Sequence, residues 1–386
     1  MEKDSHYYVI YFLCLAAGFD LDTSYTVAYS SQYVDDSIDG HKKTLFEPPN
    51  GDLYTLEPIR TSHNGFESLG TDVQEKIYYP FHFLPGLKGD SFDQKMVTKT
   101  GTEGELFKVL IQEALNSKNP YRTGITLHVL ADTYSHTNFS GLWAWDNAIR
   151  HVNYIPARKG WILNLVNKCK WLTFRKYLET APAIGHSHAY CFPDFPYMNW
   201  KYGDYDGKMH SVSNSFKFRE GFLDLYEQLI LPYAESQKLK PRLSQDKILQ
   251  ILWNGIRTTG NLKKRCKYWR KVIINFANEF KLKISNRHLK YGKTDWEDDM
   301  IENLKIFGIF SSSKSKLKVP RAEFEESHYY NFHSAAKDHR LFVLEKINEY
   351  FEKCPKDVPG NKIGQELGAI SREYINEVKA KQILQT

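Results

Sequence analysis

Apolar positions along the chain recur mostly at helical spacing. Residues 5–18 form a nearly continuous apolar run closed by Gly18, which predicts a buried helix. A second helix is predicted over residues 22–37, where Asp22, Thr23 or Ser24 can serve as the cap. Because runs that alternate with period two are few, the expected fold class is all-α. Further helices are predicted over residues 103–117, 120–139, 142–154, 159–177, 212–236, 243–258, 261–282, 296–308, 323–353 with a break, and 361–382.

Two long segments interrupt this helical pattern. Residues 38–100 and residues 180–207 are rich in Gly, Pro and polar side chains, which predicts irregular loops. Long ordered loops in compact domains are usually functional, so we expect these segments to border a site.

Charge is distributed unevenly along the 386 residues. The whole chain carries a net charge of +6, whereas residues 257–293 hold twelve Lys or Arg against one acid, Glu279. The remainder is therefore net acidic, as expected if acidic side chains serve there as metal ligands. The five cysteines form no Cys-x-x-Cys pair, so a disulfide framework is not expected.

The start of the chain bears on its location. The apolar run that begins at Tyr7 and ends at Gly18 is shorter than the about 20 residues that a membrane-spanning helix needs. The first four residues carry no net positive charge, unlike the leader of a secretory signal. We therefore expect no transmembrane segment, and a protein that is cytoplasmic or exported without a classical signal peptide.

Three residues with metal-binding side chains recur at intervals of four. His128, Asp132 and His136 would lie on one face of the helix predicted at 120–139, because residues four apart are stacked along a helix. Two imidazoles and a carboxylate suit Zn²⁺, which takes nitrogen and oxygen ligands. The alternative is a helix face that is simply capped or salt-bridged.

Other His and Asp residues also stand in apolar or aromatic surroundings. Each of them alone is more typical of a packed structural residue than of a ligand. Together they exceed what packing requires, because a buried ionisable group is costly unless it is paired or bound to metal. These further candidates are Asp4, His6, Asp35, Asp36, His82, His186, His188 and Asp194.

In their order along the chain, these residues resemble the zinc-dependent phospholipase C and S1/P1 nuclease superfamily. His128 and Asp132 match its His-x-x-x-Asp element, and His136 matches the histidine that follows. The other matches are Asp35 to the Asp of an earlier helix, His82 to a loop histidine, His6 to the first-helix histidine, and His186 with Asp194 to the late pair. The chain also resembles a bacterial branch whose members open with Asp-x-His-Tyr-Tyr, and the resemblance covers roughly residues 1–200.

The resemblance implies a multi-helix bundle with long irregular loops around a cleft that holds two or three zinc ions. We expect a metal-binding catalytic core at 1–210 and a helical C-terminal part at 211–386 packed on it, together forming one globular unit. In such a site two zinc ions about 3.5–4 Å apart activate a water for in-line attack on phosphorus. Asp132 would bridge the two ions, and Asp35 would bind one ion and orient the water.

The chain departs from the superfamily at three points. Secreted members use the free N-terminal amine of a processed Trp as a zinc ligand; here that ligand is expected to be missing, with Asp4 as its substitute. His136 follows Asp132 more closely than usual, and without the preceding proline. Asp194 lies eight residues after His186 rather than four, so His188 is an alternative late ligand.

The expected substrate is a phosphodiester, most readily a phospholipid head group. A nuclease or phosphatase with the same metal site is the alternative, and a protein with purely structural zinc is another. The basic segment 257–293 can pack on the domain as a solvated helix, contact an anionic membrane, or bind nucleic acid. No Gly-x-Ser-x-Gly motif is present, so the sequence does not support a serine hydrolase. His328, His333 and His339 are interpreted as helix-surface or packing residues.

Overall fold

The N-terminal part of the chain forms the helical centre of the molecule. The structure is a computed structural model that describes residues 1–63, 70, 73–87, 100–155, 182–304 and 314–353. Its first elements are α1, which begins as a π-helical segment Asp4–Val9 and continues as Ile10–Ala17, then α2 (Leu21–Asp36), β1 (Lys43–Glu47), β2 (Asp52–Leu56), α3 (π-helical Gln74–Tyr78 continuing as Tyr79–Phe81), α4 (Glu105–Ser117) and α5 (Pro120–Ser135).

The first helix is buried on every side, which explains its apolar sequence. All residues of α1 are buried, and the helix ends at Gly18 in a left-handed conformation with φ of 113°. A Cβ at Gly18 would meet the carbonyl oxygen of Lys240 at 2.5 Å, so this turn requires glycine. Asp20 then caps α2 by accepting a hydrogen bond from the backbone N–H of Thr23 at 2.7 Å.

Helices α2 and α5 pack against each other with almost no space between their backbones. A Cβ on Gly124 of α5 would lie 2.3 Å from the carbonyl oxygen of Val27 on α2. Asn119 caps α5 by accepting from the N–H groups of Tyr121 and Arg122, and Pro120 occupies the first turn. This close approach brings the end of α2 beside the middle of α5.

Three small sheets make the fold mixed rather than all-α, so the expected fold class was wrong. Helices account for 57% of the structure and strands for 12%. The strands that follow α5 are β3 (Trp143–Ala144), β4 (Arg150–Ile155), β5 (Ala183–Ile184), β6 (Asn199–Gly203) and β7 (Met209–Ser213). They form the antiparallel pair β3–β5 and the antiparallel sheet β4–β6–β7.

The strands were missed because they are short and lie in segments rich in turn residues. Residues 142–154, predicted as helix, form β3, a short 3₁₀ turn and β4. The predicted loop at 180–207 contains β5 and β6, and the predicted loop at 38–100 contains the β1–β2 hairpin and α3. Strands of two to six residues offer few alternating positions, so pairing with distant partners decides their conformation.

The C-terminal half is helical, as predicted, with one further strand pair. Its elements are α6 (Asn214–Leu225, π-helical Tyr226–Ile230 and Leu231–Ser236), α7 (Gln245–Ile256), α8 (Leu262–Glu279), α9 (Asn286–Leu289), α10 (Asp295–Met300), β8 (Ile301–Leu304), β9 (Lys314–Leu317), α11 (Arg321–Glu325) and α12 (His328–Glu352). The expected break within 323–353 falls between α11 and α12. The helix predicted at 296–308 ends at Met300, where β8 begins. The helices predicted at 159–177 and 361–382 lie outside the described residues.

Both halves of the chain contribute to one main hydrophobic core. The sheet β2–β1–β9–β8 joins them, because β9 pairs in parallel with β1. The apolar face of α8 packs on α1, with the rings of Trp269 and Phe276 each 6.0 Å from that of Phe12. That face of the basic segment is therefore buried in the domain rather than turned to a membrane. Within the described parts of the chain, every helix is too short or too polar to cross a bilayer.

Candidate metal centre

A pocket of about 380 Å³ lies where α1, α2, α3 and α5 meet the segment around residues 184–194. Six of its lining residues are candidate ligands predicted from the sequence, and four different parts of the chain place them at the pocket wall. Its lining residues are Met1, Asp35, Ser62, His63, Tyr78, His82, Phe83, Asp132, His136, Ile184, His186, Ser187 and Asp194. Three groups of His and Asp at this pocket can hold a metal ion: His6, Asp35 and His128; His82, His128 and Asp132; and His136, His186 and Asp194.

The carboxylate of Asp132 lies at the centre of these groups. Its Oδ2 is 3.3 Å from Nε2 of His128 and 3.4 Å from Nδ1 of His82. Its Oδ1 is 3.1 Å from Nε2 of His6. The side chain is only 2% exposed. Because its two oxygens face different imidazoles, this single carboxylate can serve more than one cation.

The second helix supplies a further carboxylate to the same cluster. Asp35, in the last turn of α2, places Oδ1 3.8 Å from Nε2 of His128 and 3.9 Å from Nδ1 of His82. Burial raises the pKa of Asp35, whereas the neighbouring histidines oppose that rise. The adjacent Asp36 faces away, since its Oδ2 accepts a hydrogen bond from the hydroxyl of Tyr291 at 2.9 Å. Of the two aspartates, the structure brings Asp35 to the centre.

Backbone carbonyls fix the ring orientation of three of the histidines. Nε2 of His82 donates to the carbonyl oxygen of Thr61 at 2.8 Å. Nδ1 of His136 donates to the carbonyl oxygen of His82 at 3.1 Å, and Nδ1 of His186 donates to that of Tyr190 at 2.8 Å. A carbonyl only accepts, so in each neutral ring the other nitrogen carries the lone pair. All three of those nitrogens face acidic side chains of the pocket.

The lone pair of His82 lies opposite another imidazole nitrogen. Nδ1 of His82 and Nε2 of His128 are 3.3 Å apart. His128 is fully buried, and its Nδ1 has no hydrogen-bond partner within the described residues. Two ring nitrogens at this distance are held together by a shared proton or by a cation that both of them bind. The buried, two-carboxylate surroundings favour positive charge at this point.

The second ligand group stands at the other end of the stripe on α5. Nε2 of His136 lies 3.1 Å from Oδ1 of Asp194, and Nε2 of His186 lies 3.5 Å from Oδ2 of the same residue. Burial lowers the pKa of His186 to about 4, so this imidazole is neutral at pH 7 and can act as a ligand. Although eight residues separate His186 from Asp194 along the sequence, their side chains are close together in the structure.

His6 joins the centre from α1. Its ring stacks on that of His128 with centroids 3.9 Å apart. Burial holds the pKa of His6 well below its usual value, so the ring is neutral. Its Nδ1 is a second buried ring nitrogen that has no hydrogen-bond partner in the described part of the chain.

The expected substitution of Asp4 for an N-terminal amine is wrong in this structure. Asp4 faces away from the pocket, with its Oδ2 2.8 Å from Nε of Arg265. The amine of Met1 itself lies in the pocket, 2.5 Å from Oδ1 of Asp132 and 3.2 Å from Oδ1 of Asp194. Burial opposes its charge, but these carboxylates raise the pKa of the Met1 amine to about 11. A cation thus occupies the space between the two ligand groups.

His188 does not belong to any of the three ligand groups, whereas His186 does. Sequence reasoning also missed the other polar residues of the pocket wall, Ser62, His63, Tyr78 and Ser187. The hydroxyl of Tyr78 makes a short hydrogen bond with Nε2 of His63. His63 stood in a segment interpreted only as a loop, and the one available signal was its position next to two hydroxyl-bearing residues, Thr61 and Ser62.

The chain was also compared with known proteins. The model of a "Family of unknown function (DUF6765)" matches residues 1–347, which include all the residues of the metal centre. No curated protein and no solved structure matches the chain. Because the family match spans most of its length, the chain belongs to the DUF6765 family.

Proposed function

We propose that this protein is a zinc-dependent hydrolase of phosphodiester bonds, with a phospholipid head group as the preferred substrate. The observation that carries the proposal is the opposition of His82 Nδ1 and His128 Nε2 at 3.3 Å beside an open pocket. Asp132 supplies the negative charge that a cation at this point needs. A nitrogen-rich donor set with a few carboxylates is the one that Zn²⁺ prefers.

The His and Asp residues of the centre suit two zinc ions, and a third ligand group shares residues with the first. His82, His128, Asp35 and Asp132 would hold one ion, and His136, His186 and Asp194 the other. His6 shares a group with Asp35 and His128, and its buried, unpaired Nδ1 lies in that same part of the site. When bound, zinc supplies Lewis-acid polarisation of a phosphoryl oxygen and a hydroxide nucleophile near neutral pH.

The chain's own residues would orient the reactants. Asp35 is the most exposed of the three central carboxylates, at 32% against 2% for Asp132 and 16% for Asp194. Asp35 is therefore the carboxylate that a water entering from the pocket would contact. Its side chain can orient that water and hold its proton. Asp132 and Asp194 are more deeply buried and would serve chiefly to hold cations.

The rest of the pocket suits an organic phosphate. Phe83 and Ile184 give apolar wall on one side of the ligands, while Ser62, Ser187 and His63 give hydroxyl and imidazole groups. The volume of about 380 Å³ leaves room for a substrate next to the metal ligands. A structural zinc site would be closed by four protein ligands and would need no such space.

The test combines metal analysis with hydrolysis. Elemental analysis of the purified protein should find at least one zinc per chain, and His128→Ala should lower that content. The matched control is His41→Ala, because the side chain of His41 is 96% exposed and lies outside the pocket. Less than one zinc per chain, or unchanged content in His128→Ala, would contradict the metal site.

Substrate assays then separate the possible activities. We expect release of phosphocholine from phosphatidylcholine vesicles, and its loss in His128→Ala but not in His41→Ala. Cleavage of single-stranded DNA without release of phosphocholine would instead identify a nuclease. Zinc that remains bound while no phosphodiester or phosphate monoester is hydrolysed would identify a structural role and overturn the proposed activity.

A further inference from the structure

A second pocket, of about 350 Å³, lies between the first turns of α1 and α8 and the segment that follows α9. It shares no lining residue with the metal centre. Four of its eight lining residues are cations, Lys3, Lys263, Arg270 and Lys290, and the others are Tyr8, Leu262, Cys266 and Tyr291. Among the lining residues that the structure describes, none is a carboxylate. The pocket thus concentrates part of the positive charge that the sequence places in residues 257–293.

The charges of these cations are not matched by ion pairs in the described part of the chain. Among the residues that the structure describes, none of the four forms an ion pair with a carboxylate within 4 Å. Nε of Arg270 is buried and has no hydrogen-bond partner within those residues. The neighbouring Arg265 differs, because Asp4 and Glu2 neutralise it. Like charges gathered around one cavity repel each other, and a bound anion would remove that cost.

The start of α8 adds further positive potential. Leu262 and Lys263 form the first turn of this 18-residue helix, where backbone N–H groups lack helical partners. The capping side chain of Asn261 accepts from the N–H of Lys264 at 3.0 Å. Leu262, Cys266 and Arg270 follow at intervals of four, so they lie along one face of the helix and line the pocket together.

The remaining walls are uncharged and partly aromatic. The hydroxyl of Tyr8 donates to the carbonyl oxygen of Leu289 at 3.2 Å, and that of Tyr291 donates to Asp36 at 2.9 Å. Burial, together with the charge of Asp4, raises the pKa of Cys266 to about 11, so its thiol adds no negative charge at pH 7. The pocket therefore offers cations for an anionic group and apolar surface for an organic group attached to it.

We propose that this second pocket binds the phosphate monoester group of an organic phosphate, held by Lys3, Lys263, Arg270 and Lys290. A doubly charged phosphate matches four cations better than a carboxylate does, and Arg270 can offer it more than one N–H. The faces of Tyr8 and Tyr291 would contact the organic part. The same chemistry is presented by a free metabolite and by a lipid that carries a terminal phosphate.

Binding of glycerol 3-phosphate to the zinc-loaded protein, measured by calorimetry, tests this site. The double variant Lys263→Gln/Arg270→Gln should bind at least about tenfold more weakly, because it removes two cations that make charge-assisted hydrogen bonds to the phosphate. The matched control, Lys267→Gln/Lys271→Gln, removes the same charge from exposed positions on the same helix, outside the pocket. It should bind within about twofold of the wild type. If Arg270→Gln impairs folding, Lys263→Gln/Lys290→Gln replaces it.

Two further experiments show whether the bound phosphate belongs to a lipid or to a free metabolite, and whether it binds at the second pocket or at the metal centre. Vesicles of phosphatidylcholine with phosphatidic acid, compared with phosphatidylcholine alone, show whether the lipid form is bound in addition to the free form. His128→Ala should keep the binding event that Lys263→Gln/Arg270→Gln weakens, because it changes only the metal centre, whereas any binding of the phosphate to zinc would be lost; the second pocket would therefore survive a failure of the proposed enzymatic function. Equal affinity of the pocket variant and the control variant for both ligands would overturn the proposal.

Discussion

Nε of Arg265 lies 2.8 Å from Oδ2 of Asp4, and the two side chains are only 1% and 2% exposed. This buried ion pair joins α8, in the C-terminal half of the chain, to the first turn of α1. The guanidinium also binds Glu2 and stacks near the ring of Phe195, at 5.5 Å. The segment that carries the amine of Met1 and the ring of His6 is thus held from a helix that contributes no residue to the metal centre.

Replacing Asp4 should destabilise the protein strongly. Asp4→Asn leaves the buried charge of Arg265 without its main partner, which costs about 3–5 kcal/mol in the free energy of unfolding. Unfolding of the metal-free protein in urea measures this loss of free energy. Asp299→Asn is the control, since its partner Arg287 is 51% exposed and such a surface pair contributes about 0–1 kcal/mol. Equal effects of the two changes would show that Asp4 and Arg265 do not form the buried pair.

Substitution at Gly124 should separate the two helices that carry the central ligands. In Gly124→Ala the new Cβ would lie 2.3 Å from the carbonyl oxygen of Val27, so α2 and α5 must move apart. Overpacking of this kind costs about 1–3 kcal/mol, and the shift should also weaken zinc binding by moving Asp35 away from His128. Unfolding and zinc titration measure the two effects. Gly101→Ala is the control, because a Cβ there meets nothing within 4 Å; similar zinc affinity in both variants would contradict this account.

The stability of the metal-free protein should fall as the pH drops below 6.5, partly because of His333. Its Nδ1 accepts a hydrogen bond from the N–H of Ile59 at 3.0 Å, and burial lowers the pKa of His333 to about 3. The folded state keeps this ring neutral while the unfolded chain takes up a proton near pH 6.5. Stability is therefore fully present above that pH and is lost at about 1.4 kcal/mol per pH unit below it, or about 2 kcal/mol by pH 5.

His333→Asn tests that assignment, because its Oδ1 can accept from Ile59 without titrating. The free energy of unfolding in urea should differ less between pH 7 and pH 5 for this variant than for the wild type. His41→Asn, at a site whose side chain is 96% exposed, should leave the difference unchanged. A wild-type difference retained in full by His333→Asn would assign the pH dependence to other groups.

The two ligand groups should differ in which carboxylate they depend on. Asp132→Asn should reduce the zinc content of both, since its carboxylate faces His82 and His128 in one group and its Oδ2 lies 3.8 Å from Nδ1 of His136 in the other. Asp194→Asn should affect only the ion held by His136 and His186. Loss of a direct ligand should lower zinc affinity by more than the 10–100-fold that removal of an outer partner costs. Elemental analysis after dialysis against a weak chelator measures the retained zinc. Equal loss in the two variants would show that the groups act as one site.

The stripe on α5 was predictable from sequence because helical periodicity alone places His128 and Asp132 on one face. Asp35 and His82 could be proposed only through their order along the chain, since the contacts that fix them come from tertiary packing. Two features of the centre had no sequence signal. The orientation of the His82 ring depends on the carbonyl of Thr61, and the placement of the Met1 amine depends on how α1 enters the core. The expectation for Asp4 failed because its partner, Arg265, lies 261 residues away.

The strands illustrate the same limit. Residues 150–155 pair with residues 199–203 across a segment of more than 40 residues, and the alternation within each strand spans only a few positions. Helix and strand were therefore not distinguishable there from spacing alone. Where an element is long and buried, as α1 and α5 are, local pattern and final structure agree.

Helix α5 ends at Ser135, so His136 stands at its cap rather than within it. The first ligand group is consequently built largely on helices that pack closely against each other. The second combines a residue at a helix end with two from the segment around 184–194, so fewer packed helices hold it, although both groups border the pocket. An ion in the first group would have a long residence time, whereas an ion in the second would exchange rapidly with the solvent. During a chelation time course, zinc should then leave in two phases, the faster from the group that holds Asp194.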